Sequence, residues 1–444
     1  MTAADVLVLG GGLAGLSVAA RLGPRAILLE REDRPGGLVR SLCVDGWWFD
    51  HVIHLLHFHD EGTKARVFAL LGDVLAPLAP EAFVVTGAGV ARYPIQEHLG
   101  HLDQQIAAAC VEDLKFETQA SRPELPVHYR DFLLRSFGKS LCELFFFPYN
   151  TKMWRRDLTV LAPSGFVWNI SRPDLKSVLA GALRPDTPTK PYNSDGWYPR
   201  PAKDAPVRGM EVLTRALAAK IHDLRLRHEV MSIQLSARTV LVRTPHGEAT
   251  FVWRHRCVST LPLPLLVSLC EDVPARVATA ASGLEYNRVL SVAIRVLGPR
   301  PNVGLWRYYP SPSVLFTRLV FLHAFDPLMA PAQGWPLLAE VPWRTDEPLP
   351  DGFAQTIVKQ AREVGALTPG HEVLDATVVE ANPAYVVFHP GGSDAIETII
   401  SWLRSHGIDP VGRFGRWEYS SMAQALRDGH ELASALAMTV ATAG

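Results

Sequence analysis

Long hydrophobic runs are missing from this chain, and none approaches the roughly 18 uninterrupted apolar residues that a membrane helix requires. An excess of one charge is missing too. The 44 lysines and arginines stand against 45 acidic residues, for a formal net charge of −1, which gives no electrostatic reason to expect nucleic acid or an anionic membrane as a partner. Any anion the protein holds must be met by a local pocket. Cysteine is scarce: Cys43, Cys110, Cys142, Cys257 and Cys270 are widely spaced and include no C-x-x-C pair. That argues against a disulfide framework and against a metal site of the zinc type. The first residues carry neither the basic region nor the small-residue cleavage site of a signal peptide, so a cytoplasmic location is expected. No internal repeat or low-complexity tract is present.

What remains is a 444-residue chain with 48% hydrophobic and 20% charged residues, a globular composition too long for one ordinary core. Its first 40 or so residues read as strand, turn, helix, strand. Asp5 to Gly10 is an apolar run of β character, Leu16 to Leu22 has helical spacing, and Arg25 to Glu30 is a second strand. This is half of a doubly wound sheet. Residues 63–140 read as helical with interruptions at Phe83 to Thr86 and Arg92 to Ile95. Proline and glycine crowd residues 185–209, a stretch expected to lack regular structure and to act as a lid or substrate-facing loop. An amphipathic helix from Gly209, several strands, and a helix over Ser421 to Met438 follow.

Gly10, Gly12 and Gly15 fit G-x-G-x-x-G directly after a strand and at the opening of a helix. Such glycines allow a tight turn and close backbone approach to a pyrophosphate, which the helix N-terminus favours electrostatically. Glu30 follows Gly10 by 20 residues at the end of the second strand, where a carboxylate accepts hydrogen bonds from ribose hydroxyls. A further glycine pair, Gly36 and Gly37, stands just past this acid, as in FAD proteins of the amine oxidase and glutathione reductase families. FAD, rather than NAD, is the expected cofactor. A flavin must also be gripped at its ring end by remote sequence.

Five segments then resemble UDP-galactopyranose mutase, a flavoenzyme family with an amine-oxidase-like fold. They are Phe49-Asp-His-Val-Ile-His54-Leu-Leu-His57; Pro148-Tyr149-Asn150-Thr-Lys152-Met-Trp154; Phe316-Thr-Arg318-Leu with His323-Ala-Phe after it; Ala384-Tyr385-Val-Val; and Gly412-Arg413-Phe-Gly415-Arg-Trp-Glu-Tyr419-Ser-Ser-Met422. The resemblance implies an α/β fold: a Rossmann-type FAD-binding domain completed by N- and C-terminal segments, with an inserted substrate domain of mixed sheet and helices. The corresponding division is residues 1–62, 209–275 and 401–444 for the flavin domain, 63–208 for a mainly helical insertion, and 276–400 for substrate-domain strands.

Residue by residue, the glycine turn (Gly10, Gly12, Ala14, Gly15), the acid and its neighbours (Glu30, Arg31, Gly37, Leu38) and the ring-side His54 and Leu55 would hold the flavin. Arg413 and the helix start Ser421, Met422, Ala423 and Gln424 would complete that clasp. Tyr149, Asn150, Trp154, Arg172, Arg318, Tyr385 and Tyr419 would bind substrate, Arg318 as a ligand of a diphosphate. His54, Arg318, Tyr385 and Tyr419 are the candidate catalytic residues. Two departures stand out. Val52 and Ile53 replace the glycine before the flavin-facing histidine, which limits backbone approach to the ring. Ala423 stands where the family has an acid that would suit a helix N-terminus.

The activity so implied acts on a nucleotide-linked or related sugar, with N5 of the reduced flavin as nucleophile at the anomeric carbon. NAD(P)H or another electron donor would serve as partner. An amine-oxidase-like FAD oxidoreductase of secondary metabolism, removing a hydride from an amine or alcohol, is the alternative. A flavin-binding protein without catalysis is a third reading.

Overall fold

The computed structural model describes residues 1–120, 124–163, 174–186 and 196–442, with side chains through residue 438. The opening motif forms as its pattern dictates. Strand Thr2–Leu9 is followed by helix Leu13–Leu22 and strand Ala26–Leu29, whose four residues are all buried. Thr2–Leu9 lies at the centre of a seven-stranded sheet, parallel to Ala26–Leu29 on one side and to Gly247–Ser259 on the other. Gly247–Ser259 is 13 residues long and serves three partners. Thr239–Thr244 runs antiparallel along its first part, and Ile408–Pro410 runs parallel to its end. Asp223–Arg225 and Glu229–Gln234 form the two edges. The sheet is therefore assembled from three distant stretches of chain.

A second seven-stranded sheet runs in the order Glu372–Val387, Glu285–Leu297, Gly334–Arg344, Arg318–Phe321, Trp306–Tyr308, Ala82–Thr86, Gly89–Arg92. Its neighbours are antiparallel except for Trp306–Tyr308 and Ala82–Thr86. The hairpin Ala82–Thr86 and Gly89–Arg92 thus joins this sheet from within the stretch read as mainly helical. Helices Gln104–Gln119, Tyr129–Phe137, Phe147–Trp154 and Leu175–Leu183 contribute to one core with residues of the second sheet such as Val289, Ala381 and Tyr385. Asn287 ties the two layers, donating to the carbonyls of Met153 (3.2 Å) and Trp154 (2.9 Å).

Residues 185–209 depart from the expectation of a loop without regular structure. Residues 187–195 lie outside the described residues, but Gly196–Pro199 is a strand paired with Leu75–Leu78. Tyr198 is fully buried, and its hydroxyl donates to Asp50 at 2.7 Å. Asp50 also accepts from the Ser41 hydroxyl (2.8 Å) and the Met210 N–H (2.9 Å). Burial pushes its carboxyl up to about 6 in spite of these bonds, and Glu211 nearby acts in the same direction. Proline and glycine mark backbone that cannot continue a regular element, yet four extended residues between them suffice for a short edge pairing.

The stretch ends in a buried ion pair. Arg208 donates to Asp326 at 2.6 Å, with both side chains 3% exposed, and also to the carbonyls of Pro201 and Ala202. Removing one partner leaves the other charge buried and uncompensated, so Arg208→Ala should destabilise the protein by about 3–5 kcal/mol. Asp326→Ala should cost a similar amount. Urea denaturation of the single and double variants checks this, and the double variant should lose far less than the sum of the singles.

Candidate functional site

A cavity of about 1310 Å³ lies between the two sheets, bounded by the glycine turn at one end and by Arg318 and Tyr385 at the other. The glycine turn sets the first wall. Gly10 sits at φ +96°, and a Cβ there would fall 2.3 Å from the Thr260 hydroxyl. Gly15 lies one turn into the helix, where a Cβ would meet the Gly10 carbonyl oxygen at 2.0 Å, so helix and strand pack at backbone distance. Glu30 is held in place before any ligand arrives. One carboxylate oxygen accepts from the Gly11 N–H at 2.7 Å and the other from the Glu32 N–H at 3.0 Å. Each oxygen retains a further lone pair, as a ribose diol requires.

The opposite wall comes from the end of the chain. Val411 donates to the Ser259 carbonyl at 2.9 Å, and Gly412, at φ +78°, turns the backbone against Ala14. Helix Met422–Thr442 follows. The Ser421 hydroxyl caps it by accepting from the Gln424 N–H at 3.1 Å. Arg413 stacks on the Tyr419 ring with its guanidinium carbon 4.0 Å from the centroid, and donates to the carbonyls of Ser420 (3.2 Å) and Ala384 (3.0 Å). Its Nε is buried without a hydrogen-bond partner among the described residues. An orphaned charged donor in the same cavity as a preformed carboxylate acceptor fits a cofactor that spans the cavity and ends in an acceptor-rich ring.

Of the expected cofactor residues, Gly10, Gly12, Ala14, Glu30, Arg31, Gly37, Leu38, His54, Leu55, Arg413, Ser421 and Met422 line the cavity. Gly15, Ala423 and Gln424 do not. Ala423, read as part of the flavin clasp, is only 3% exposed, so it is a small buried group at the helix start, and Ala425 faces the cavity instead. Val52 and Ile53, in place of the family's glycine, are both on the cavity wall.

Of the expected substrate residues, Arg318, Tyr385 and Tyr419 reach the cavity, whereas Tyr149, Asn150 and Trp154 stand behind it. Trp154 packs edge-on against Tyr385 (6.2 Å) and Tyr419 (6.3 Å). Asn150 is spent on internal bonds: its carbonyl oxygen accepts from the Tyr129 hydroxyl (2.9 Å) and Trp154 Nε1 (3.3 Å), and its amide donates to Phe146. Tyr149 meets Tyr308 edge-on at 5.5 Å. Arg172 lies outside the described residues.

Arg318 is anchored by Glu340 and Tyr385, and Tyr308 is bonded to it as well. Its Nε donates to Glu340 and its Nη2 to the Tyr385 hydroxyl at 3.2 Å. Burial works against its charge, but Glu340, with Tyr385, Tyr149 and Tyr308 around it, holds its pKa well above the ordinary guanidinium value. Burial also raises the Tyr385 hydroxyl above the phenol range, so it remains a donor. Glu340, Tyr308 and the cavity-lining His51 were not singled out from the sequence. Glu340 had a visible signal, a lone carboxylate within the apolar run Trp335 to Trp343.

Two of the cavity-lining histidines, His51 and His54, are held neutral. Burial, followed by His51, Arg413 and Arg318 nearby, lowers His54 to about 3, and burial with Arg40 and Arg34 lowers His51 to about 4. Between these values and about 6.5 the unfolded chain binds protons that the folded one does not. Stability should therefore fall as pH drops from 7 to 5, and His54→Gln should flatten that fall in urea midpoints. Asp50 acts oppositely: with its folded pKa raised, its contribution weakens as pH rises through about 4 to 6. At the other end of the cavity, Glu30→Ala removes a charged acceptor and frees two N–H groups. FAD affinity should fall by about 1.5–3 kcal/mol, read from flavin fluorescence released on dilution.

Comparison with known proteins places the fold and the family. The structure of reduced UDP-galactopyranose mutase superposes with a TM-score of 0.90 at 20% identity, covering 99% of this chain and 95% of that one. A redesigned putrescine oxidase gives 0.63 at 14% identity over 98% and 99% of the two chains. A fatty acid isomerase from P. acnes, described as producing CLA, gives 0.63 at 14% over 97% and 98%. At such identities the likeness is one of fold. The family model for flavin containing amine oxidoreductases matches residues 13–364. The chain belongs to the flavin containing amine oxidoreductase family, and it is an FAD-dependent enzyme.

Proposed function

We propose that this enzyme is a mutase acting on a nucleotide-linked or related sugar, in the manner named for the UDP-galactopyranose mutase whose fold it shares. The observation that carries this reading is the anchored Arg318, presented to the cavity together with the hydroxyl of Tyr385. A planar guanidinium beside a protonated phenol offers several donors in fixed directions, which suits the oxygens of a diphosphate leaving group. Arg413 adds a second cation on the same cavity. His54, neutral at physiological pH, adds a polar group without another positive charge. The layer of Trp154, Tyr149 and Tyr308 behind them fixes the ring positions, so that orientation is settled before binding. Reduced FAD would supply a nucleophilic ring nitrogen toward the anomeric carbon of the sugar.

Net hydride removal from an amine or alcohol is the second reading, and the Arg318–Glu340 pair favours it, because the carboxylate offsets the charge offered to a diphosphate. The two readings differ in electron balance. Under anaerobic conditions, UDP-galactopyranose should turn over on the reduced enzyme without net oxidation of the flavin. Bleaching of the oxidised enzyme's visible absorption by an amine or alcohol, with no isomerisation of the sugar nucleotide, would support the second reading instead. On the first reading, Arg318→Ala should weaken sugar-nucleotide binding by about 2–5 kcal/mol with FAD content unchanged. Equal affinity in that variant removes Arg318 from the substrate site.

A further inference from the structure

Glu340 occupies the middle of strand Gly334–Arg344, all of whose residues but the last are buried, and it is itself 1% exposed. A carboxylate in such a place costs several kcal/mol unless its charge and lone pairs are matched. Both oxygens are matched, and by two different parts of the protein. On the adjacent strand Arg318 stands directly opposite Glu340 in register, and its Nε donates to Oε2. Oε1 accepts from the backbone N–H of Ile53 at 2.5 Å.

Ile53 belongs to the cavity-lining segment 51–55, which has no helix or strand of its own. That segment is tied at its ends by His51 N–H to Arg40 (3.2 Å) and Leu56 N–H to Trp197 (3.0 Å). Between those ties, the bond from Ile53 to Glu340 fixes the backbone immediately before His54. One buried carboxylate therefore touches both the arginine of the second sheet and the segment beside the cofactor cavity.

We propose that Glu340 is a positioning residue that joins these two walls, holding Arg318 in charge balance and His54 at a fixed depth through the Ile53 N–H. Of the five N–H donors of the guanidinium, one goes to Glu340 and one to Tyr385, and Tyr308 is bonded to the same side chain, so a minority remain for a ligand. The arginine is thus aimed before the ligand arrives, at the expense of part of its attraction for anions. The role concerns charge and position, and it holds for any anionic group that enters, sugar nucleotide or not.

The test uses the FAD-loaded protein with inorganic pyrophosphate as probe and two readouts, pyrophosphate affinity and the flavin visible spectrum. Glu340→Gln keeps an oxygen for the Ile53 N–H but turns an amide donor toward Arg318 Nε, which must let go and lose its counter-charge. Pyrophosphate should then bind about tenfold more tightly, with the flavin spectrum of the wild type. Arg318→Met in that background should abolish the gain. Glu340→Asp retains the charge but is one methylene too short to reach both partners, so it should keep near wild-type pyrophosphate affinity while shifting the flavin bands. Unchanged or weaker pyrophosphate binding in Glu340→Gln overturns the charge-balancing role. A wild-type flavin spectrum in Glu340→Asp overturns the positional one. Neither result depends on whether UDP-galactopyranose is turned over, so the fate of the mutase reading is decided separately.

Discussion

The close approach of the last helix to the first is the contact on which the rest depends. Ala14 sits where a Cβ on Gly412 would come within 2.7 Å of its own, and a Cβ on Gly429 would lie 2.5 Å from the Ala14 carbonyl oxygen. Ser17 donates to the Leu426 carbonyl at 2.7 Å across the same seam. Only small residues permit this spacing, and it brings Arg413 and the capped start of helix Met422–Thr442 to the glycine turn. A bulkier seam would part the two walls of the cavity.

The second sheet supplies the other constraint. Three of its polar residues are committed across layers: Asn287 to the end of helix Phe147–Trp154, Glu340 to Arg318 and Ile53, Arg318 to Tyr385. Because the surroundings are apolar, an unmatched partner at any of these points would be costly. The same low-dielectric setting keeps His54 neutral and Tyr385 protonated. Around Arg318 the cavity wall is therefore one of fixed donors and cations.

The flavin half of this arrangement was legible in the sequence because its signals are local. Gly10, Gly12, Gly15 and Glu30 act within one strand, turn, helix and strand, where spacing alone determines geometry. The Arg413 segment was legible through resemblance to a family. Asn150 and Trp154, read as substrate ligands, lie behind the cavity lining. A π-helical stretch, Cys142–Phe146, precedes their helix, and Asn150 is bonded to Tyr129 in the core. The part played by Glu340 depends on cross-strand register with Arg318 and on a backbone N–H nearly three hundred residues earlier, neither of which residue spacing encodes. Breaker density over residues 185–209 pointed away from a strand that forms because Leu75–Leu78 offers it an edge.

The shared seam also sets a timetable for assembly. During synthesis Glu30 and the glycine turn emerge early, while Arg413 and Ser421 come late, so the growing chain carries half a binding site through most of its length. Contacts that close over such sequence separation form slowly, and until they form the first sheet lacks the cover that Val411, Ala433 and Leu436 give it. A ligand that binds only the closed form shifts the balance toward it by mass action. By that linkage, FAD bound at the closed seam should favour the native fold as well as supply the chemistry.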